Sequence, residues 1–388
     1  MRVLHVMEAT IGGTRRHLVD VVLGQVAAGL DVHVTAACER HAEFRGDLER
    51  LARAGVDVQE LPMVREIEPL TDFAHVRALT KRVRSVRPDV VHTHSSKAGV
   101  LGRVASLRAG CGARVHTPHT FAFLFANMFG AAKRRLFRSV EVALARRTHL
   151  VVAVSAGEKA TMCRERVVHP EQVRVVKNGI DPAPFESALP YSARELLGRE
   201  PRQDALLVGV VGLLNVAKGQ DLAVRALARP GCERFELVLA GHGEMEGALR
   251  TLAAELGVQE RVTFLGWRRD VPRILRSLDA LLLPSRWEGL PYVVLEAMAA
   301  GTPIVAARVD GAVELVEDGV SGFTHAIEST EELGAALVRT AACTHEQRRA
   351  LGAAGRALVS REYTLTTMVE RLSAVYVEAV ALARERSR

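Results

Sequence analysis

Residues 280–306 read ALLLPSRWEGLPYVVLEAMAAGTPIVA. An apolar run, Ala280 to Pro284, enters a loop holding Gly289 and Pro291, a helical stretch with Glu296 follows, and a second short run spans Pro303 to Ala306. Short apolar runs joined by a helix are the pattern of a parallel sheet with helical crossovers. The same alternation continues upstream, with strands predicted at Ala205 to Val211, Phe235 to Ala240 and Val262 to Leu265. It recurs in the first half at Val3 to Met7, Val32 to Ala36, Val56 to Leu61, Val90 to Thr93, Arg114 to Thr117, Leu150 to Val154 and Val173 to Val176. Helix-length segments such as Thr14 to Gly29, Asp72 to Val86 and Ala98 to Ala109 lie between them. The class is α/β, and both halves read as doubly wound parallel sheets.

A stretch rich in proline and charge, with Pro182, Pro184, Pro190 and Pro201, interrupts the alternation. The domains are accordingly placed at 1–183 and 203–363, with a linker at 184–202. A last amphipathic helix, 364–388, does not reveal in its own pattern which domain it packs on; we assign it back to the first. A chain of 388 residues exceeds one ordinary core, and 48% apolar with 25% charged residues is the composition of a folded protein.

Five scattered cysteines form no CxxC pair and no cluster with histidine at metal-ligand spacing, so no metal site is expected. The N-terminus has too short an apolar run for a signal peptide, and no stretch approaches a bilayer span. A cytoplasmic protein is expected, with membrane contact at most peripheral. Net charge is +7, unevenly spread: residues 1–184 carry 28 Lys and Arg against 18 Asp and Glu, the remainder 24 against 27. A basic first half suits an anionic partner. Nucleic acid is the weaker choice, since there is no helix-turn-helix or RNA-binding pattern and aromatics are 4% of the chain.

Ligands of open parallel sheets bind beyond the carboxyl ends of the strands. Glu288 stands in a loop after a strand, and Glu296 eight residues on lies among Leu295, Ala297 and Met298. An unpaired carboxylate there would cost several kcal/mol, so Glu296 needs a polar partner such as a pair of hydroxyls. Gly12 and Gly13 precede a helix, where glycine permits close approach and the helix N-terminus favours negative charge. Arg15 and Arg16 add charge beside them. Lys218 follows the strand ending at Val211 and is placed to neutralise an anionic leaving group.

The run Glu288 to Pro291 with Glu296, the Gly12 Gly13 turn, Asp89 to His94 and Thr117 to His119 resemble, in this order and over nearly the whole chain, the retaining glycosyltransferases of family 4. The resemblance implies the GT-B fold, two Rossmann-like domains facing a cleft, and transfer of a sugar from a nucleotide diphosphate sugar to an acceptor hydroxyl with retention of configuration. It implies that Glu288, with Gly289, Leu290 and Pro291, contacts the donor sugar, and that Glu296 accepts hydrogen bonds from ribose. His119 would lie against the reacting centre, with His94 shaping the floor. The turns holding Gly212, Gly241, Gly243 and Leu265 would approach base and phosphates, and Gly12, Gly13 and Arg16 the acceptor or phosphates. Where the family usually has arginine this chain has Leu213, which shifts phosphate neutralisation onto Lys218 and Arg286.

No Asp-x-Asp run follows a strand, so no absolute need for a divalent ion is expected; no cofactor is expected either, the nucleotide sugar being a co-substrate. A sugar carried on polyprenyl diphosphate is the leading acceptor, in polysaccharide or glycolipid assembly. The four phenylalanines in Phe121 to Phe129, followed by Lys133, Arg134, Arg135 and Arg138, are the candidate contact with the inner membrane face. The rival readings are a nucleotide-sugar epimerase or another GT-B enzyme, and a non-enzymatic binder of anionic lipid or nucleic acid.

Overall fold

The computed structural model describes residues 1–124 and 129–386. The chain forms two compact units, Met1–Asn178 with Leu365–Arg388, and Gly179–Thr364.

The first unit holds a seven-stranded sheet: β1 (Arg2–Met7), β2 (Asp31–Ala36), β3 (Asp57–Glu60), β4 (Val90–His94), β5 (Ala113–Thr117), β6 (Leu150–Ala153) and β7 (Val173–Val175). All pairings are parallel, in the order β3-β2-β1-β4-β5-β6-β7. The second holds β8 (Leu206–Val211), β9 (Phe235–Ala240), β10 (Val262–Gly266), β11 (Ala280–Leu283), β12 (Ile304–Ala307) and β13 (Gly322–His325), in the order β10-β9-β8-β11-β12-β13. Strands covered by helices on both faces read as continuous apolar runs rather than alternating ones, and β8, β11 and β12 do so. Strand order reverses between β1 and β4 and again between β8 and β11, which gives each unit a switch point at its carboxyl edge.

The sequence placed twelve of these strands to within about a residue at each end. It missed β13, whose four residues GFTH contain no β-branched run. A Cβ at Gly322 would lie 2.0 Å from the carbonyl oxygen of Ile304, so that edge strand needs glycine to pair.

The expected linker, 184–202, is built into the second unit instead. Its prolines stop the alternation, but helices Ala183–Ser187 and Ala193–Leu197 form between them and bury Phe185, Leu196 and Leu197. Ser192 and Glu195 close a capping box on the second of these helices.

The helix Leu365–Glu385 completes the first unit. It buries Met368, Leu372, Val375 and Tyr376 in one cluster with Val3, Val90, Val115 and Leu150. It lies close against the helix Gly12–Ala27, where a Cβ on Gly24 would overlap Val369 at 2.6 Å. Its deepest polar atom, the Tyr376 hydroxyl, hydrogen-bonds His92 Nδ1 at 2.7 Å and accepts from Gln25 Nε2 at 3.1 Å. Tyr376→Phe leaves both partners short of a hydrogen bond in a buried place and should destabilise the chain by about 1–3 kcal/mol. Urea unfolding checks this, and an unchanged midpoint would mean that water replaces the hydroxyl.

Candidate functional site

At the carboxyl edge of the first sheet, β1 and β4 run in register with His5 opposite His92 and Met7 opposite His94, while His94 faces Thr117 of β5. Adjacent registers thus stack histidines from separate stretches of sequence. His5 Nε2 meets Gln25 Oε1 at 2.8 Å, His5 Nδ1 meets His94 Nε2 at 3.0 Å, and His94 Nδ1 meets His119 Nε2 at 3.3 Å. His92 Nε2 bonds Thr117 Oγ1 at 2.8 Å. His17, held by Asn178 at 3.0 Å, stands edge-on to His119 with ring centroids 4.6 Å apart.

Burial holds these rings neutral. It lowers His5 and His17 to about 4, and His92, His94 and His119 well below the ordinary imidazole value, with neighbouring histidines adding to the effect on the last three. Neutrality then orders the protons. With Gln25 presenting its carbonyl oxygen, His5 donates from Nε2 and accepts at Nδ1, and His94 and His119 repeat that polarity. His119 therefore carries its proton on Nε2 and its lone pair on Nδ1. Although no cysteine joins them, histidines cluster: His5, His92 and His94, and His17, His94 and His119, bring ligand atoms within 4.8 Å of one another. Both nitrogens of His5, His92 and His94 are engaged in the hydrogen bonds above, so the first trio is a hydrogen-bonded chain.

The backbone around the cluster is strained. His119 (φ +52°), Thr120 (φ +80°) and Ser95 (φ +59°) all lie in the left-handed region, at about 1–3 kcal/mol each. Glu158, buried one turn into the helix Ala156–Arg164, holds the His119 loop by accepting from Thr120 N at 2.8 Å and from Val154 N at 2.7 Å. Among the described residues the buried hydroxyl of Ser95 has no hydrogen-bond partner. Gly12 and Gly13 open the helix after β1, two residues earlier than expected, and are exposed. Arg16 is paired with Asp20 one turn on, at 3.1 Å, and Arg15 with Asp47 at 2.6 Å. These two arginines are thus tied to their own surface.

In the second unit every predicted donor residue falls at the carboxyl edge, in the loops after β8 and β9, at the end of β10, and in the loop and helix after β11. Gly212 and Gly241 have φ of +145° and +148°, and a Cβ on Gly241 would lie 1.9 Å from the oxygen of Gly212. A Cβ on Gly243 would lie 2.2 Å from the oxygen of Leu214. The two loops touch backbone to backbone, which is one reason these positions are glycine. Lys218 Nζ reaches Glu288 Oε1 at 2.7 Å, and Ser285 Oγ donates to the same oxygen at 2.7 Å. Glu296 is buried in the second turn of the helix Tyr292–Ala300, which Pro291 precedes. Leu290 is buried beneath the loop, and the carbonyl of Gly289 packs at the position a Cβ of Gly311 would occupy.

Arg286 departs from expectation. Its guanidinium is bound by Asp221 at 2.9 and 3.0 Å, by Glu328 at 2.9 Å and by the carbonyl of Val216, and the Asp221 bond, with Glu328, raises its pKa further. A cation so occupied fastens the β11 loop to the helix Gln220–Leu227 and is not free for phosphate.

The phenylalanine reading also changes. Phe121 and Phe123 are buried in the first unit's core with Val151, Ala153 and Met162, so they are not the membrane contact expected. Phe125 lies outside the described residues. Sequence reading missed His5, His17, Gln25, Glu158 and Tyr376. A histidine inside the apolar run RVLHVM was the one visible sign.

Residues 11–184 match the family description Glycosyltransferase Family 4, and residues 205–342 match Glycosyl transferases group 1. An Escherichia coli protein, UDP-Gal:alpha-D-GlcNAc-diphosphoundecaprenol alpha-1,3-galactosyltransferase, is 30% identical over 288 residues, 71% of this chain and 72% of that one. A D-inositol 3-phosphate glycosyltransferase of Actinosynnema mirum is 30% identical over 401 residues, 92% of this chain and 94% of that one. Among solved structures, Anabaena HepE in complex with UDP and glucose superposes with a TM-score of 0.79 at 24% identity, covering 96% of this chain and 98% of that one. Sucrose-phosphate synthase from Thermosynechococcus elongatus gives 0.81 at 21%, covering 98% and 100%. At these identities the structural likeness is one of fold, and the fold is GT-B.

The depressed histidines make stability depend on acid. Folded, His5 and His17 stay neutral to about pH 4; unfolded, they titrate near 6.5. Below 6.5 the unfolded chain binds more protons, so the stability present above 6.5 is lost as pH falls towards 4, with a slope approaching about 1.4 kcal/mol per pH unit for each histidine. Urea midpoints at pH 7.5, 6 and 5 should fall in that order. A flat profile would show that the rings are hydrated.

Proposed function

Because the chain belongs to the glycosyltransferases of group 1 and family 4, we propose that it transfers a sugar from a nucleotide diphosphate sugar to a hydroxyl of a phosphate-bearing acceptor. The second unit carries the donor side. The observation that supports this most directly is the Lys218–Glu288–Ser285 group at the switch point beside the helix bearing Glu296. Donor phosphate competes for Lys218, which releases Glu288 towards the sugar, while ribose hydroxyls donate to Glu296. The leaving diphosphate is stabilised by Lys218 and by the N-terminus of the helix Tyr292–Ala300, without a divalent ion or cofactor. Leu213 adds no charge there, and Arg286 is spent on Asp221 and Glu328, so Lys218 carries most of that work.

His119 of the first unit acts at the reacting centre as a neutral ring, its Nε2 proton committed to His94 and its Nδ1 lone pair available to a substrate hydroxyl. Retention of configuration rests on the family likeness. UDP sugars head the donor choices, since the E. coli relative is named for UDP-Gal and the Anabaena structure holds UDP. The acceptors named for the two relatives, a diphosphoundecaprenol sugar and inositol 3-phosphate, are both phosphorylated, which suits the basic first half.

The test incubates the chain with UDP, dTDP and GDP sugars, with and without a polyprenyl-diphosphate sugar or an inositol phosphate, following nucleoside diphosphate release and acceptor mass. Release that needs acceptor is expected. Glu296→Ala should weaken donor binding by about 1.5–3 kcal/mol, and His119→Ala should lower kcat with donor affinity retained. Donor isomerised with no acceptor present would make the protein an epimerase and sink the proposal.

A lipid-linked acceptor also requires a surface for the bilayer. On the first unit Ile67, Leu70 and Phe73 are 52%, 88% and 60% exposed. The outer face of the helix Pro69–Val86 continues with Arg77, Lys81 and Arg84, and Arg108 lies over the Phe73 ring. An apolar cluster beside a row of cations fits an anionic membrane. Leu70→Ser with Phe73→Ser should cut flotation with phosphatidylglycerol vesicles several-fold; undiminished flotation would rule this face out.

A further inference from the structure

The edge of the second sheet opposite the donor residues carries a second concentration of charge. Where β11 and β12 begin, a cavity of about 410 Å³ is lined by Arg276, Arg348, Arg349, Arg356, His345 and Asp279. Glycine contacts place one of these arginines. A Cβ on Gly352 would lie 1.9 Å from the carbonyl oxygen of Gly301, and one on Gly301 would lie 2.3 Å from Arg356 Nη2. The helix His345–Glu362 therefore rests directly on the end of the helix Tyr292–Ala300 and sets Arg356 into the cavity wall.

The charges do not balance. Asp279 accepts from Leu207 N at 2.9 Å and lies 3.3 Å from Arg348 Nε, which accounts for one cation. Three helix C-termini end here, offering their last carbonyls: Ala300 O to Arg356 at 3.1 Å, Cys343 O to Arg348 at 2.6 Å, and the end of Val271–Arg276. At roughly half a negative charge each they supply about 1.5 more. Four guanidinium groups then retain an excess of about 1.5 positive charges by the same reckoning. Among the described residues no carboxylate lies within 4.0 Å of Arg276, Arg349 or Arg356. Arg276 Nη1 donates to the carbonyl of Glu186 at 2.9 Å and Arg356 Nη2 to that of Ala300, but among the described residues neither buried Nε has a hydrogen-bond partner. A buried donor left unmade is costly, and guanidinium groups pair with phosphate oxygens in a fixed fork geometry.

We propose that this cavity binds a small, soluble phosphate-bearing anion, at a site separate from the donor side and independent of the transfer reaction assigned above. The helix Tyr292–Ala300 joins the two: its first turns follow the Glu288 loop, and its last carbonyls meet Arg356.

The test uses the full chain labelled with ¹⁵N-arginine, the Nε–H resonances of Arg276 and Arg356 being assigned from Arg276→Lys and Arg356→Lys. On titration with inorganic phosphate and with pyrophosphate at constant ionic strength, both resonances should move along one saturable curve. Arg276→Lys should weaken the binding that Arg356 reports by about tenfold. Arg349→Gln, at an exposed position, should weaken it several-fold and serves if the first variant does not fold. Shifts that never saturate, or that chloride reproduces, would reduce the cavity to a screening surface and overturn the proposal. Movement with phosphatidate vesicles alone would also overturn it, in favour of a lipid headgroup.

Discussion

A parallel sheet whose strand order reverses sends its crossover helices to opposite faces on either side of the reversal, so the loops there part above the carboxyl ends of two adjacent strands. Both sheets of this chain obey that constraint, at β1/β4 and at β8/β11. The residues with chemical potential gather at these two places because nowhere else in such a sheet are backbone N–H groups, helix N-termini and side chains aimed at a common gap. His5, His94 and His119 occupy one, and Lys218, Glu288 and Glu296 the other.

The two switch points use different electrostatics. In the first unit the polar groups are buried and uncharged, and each histidine is oriented by the next until the chain ends on Tyr376, from a helix more than 280 residues beyond His92 in sequence. A neutral network tolerates burial because every proton has an acceptor, whereas one charged imidazole would bear the full desolvation penalty. Strain at Ser95, His119 and Thr120 is sustained by this packing and by the Glu158 carboxylate. In the second unit the groups are ionised and paired, Lys218 with Glu288 and Arg286 with Asp221 and Glu328. Lys218, with a single carboxylate partner and a quarter of its side chain exposed, can exchange partners at little cost, which suits a site whose ligand arrives and leaves with its own charge, whereas Arg286 stays bound.

That economy of pairing makes the opposite edge distinctive. There, among the described residues, the arginines exceed the carboxylates and helix ends available to them, and the Nε donors of Arg276 and Arg356 stay unpaired. The unit thus places a set of ion pairs at one end of the helix Tyr292–Ala300 and a cationic wall at the other.

Local sequence suffices for the α/β class, the position of twelve of the thirteen described strands and the identity of the residues after them, because apolar runs and their glycine and proline boundaries are properties of neighbouring residues. It also carried the family likeness through the run around Glu288 and Glu296. Long-range contacts alone establish that Arg286 is held by Asp221, that Phe121 and Phe123 are core, that residues 184–202 fold into the second unit and that His5, His92, His94 and His119 join, through Gln25 and Tyr376, in one hydrogen-bonded chain. Strand register, helix docking and burial set each of these, and all three depend on contacts between residues far apart in sequence, whose pairing no local pattern encodes.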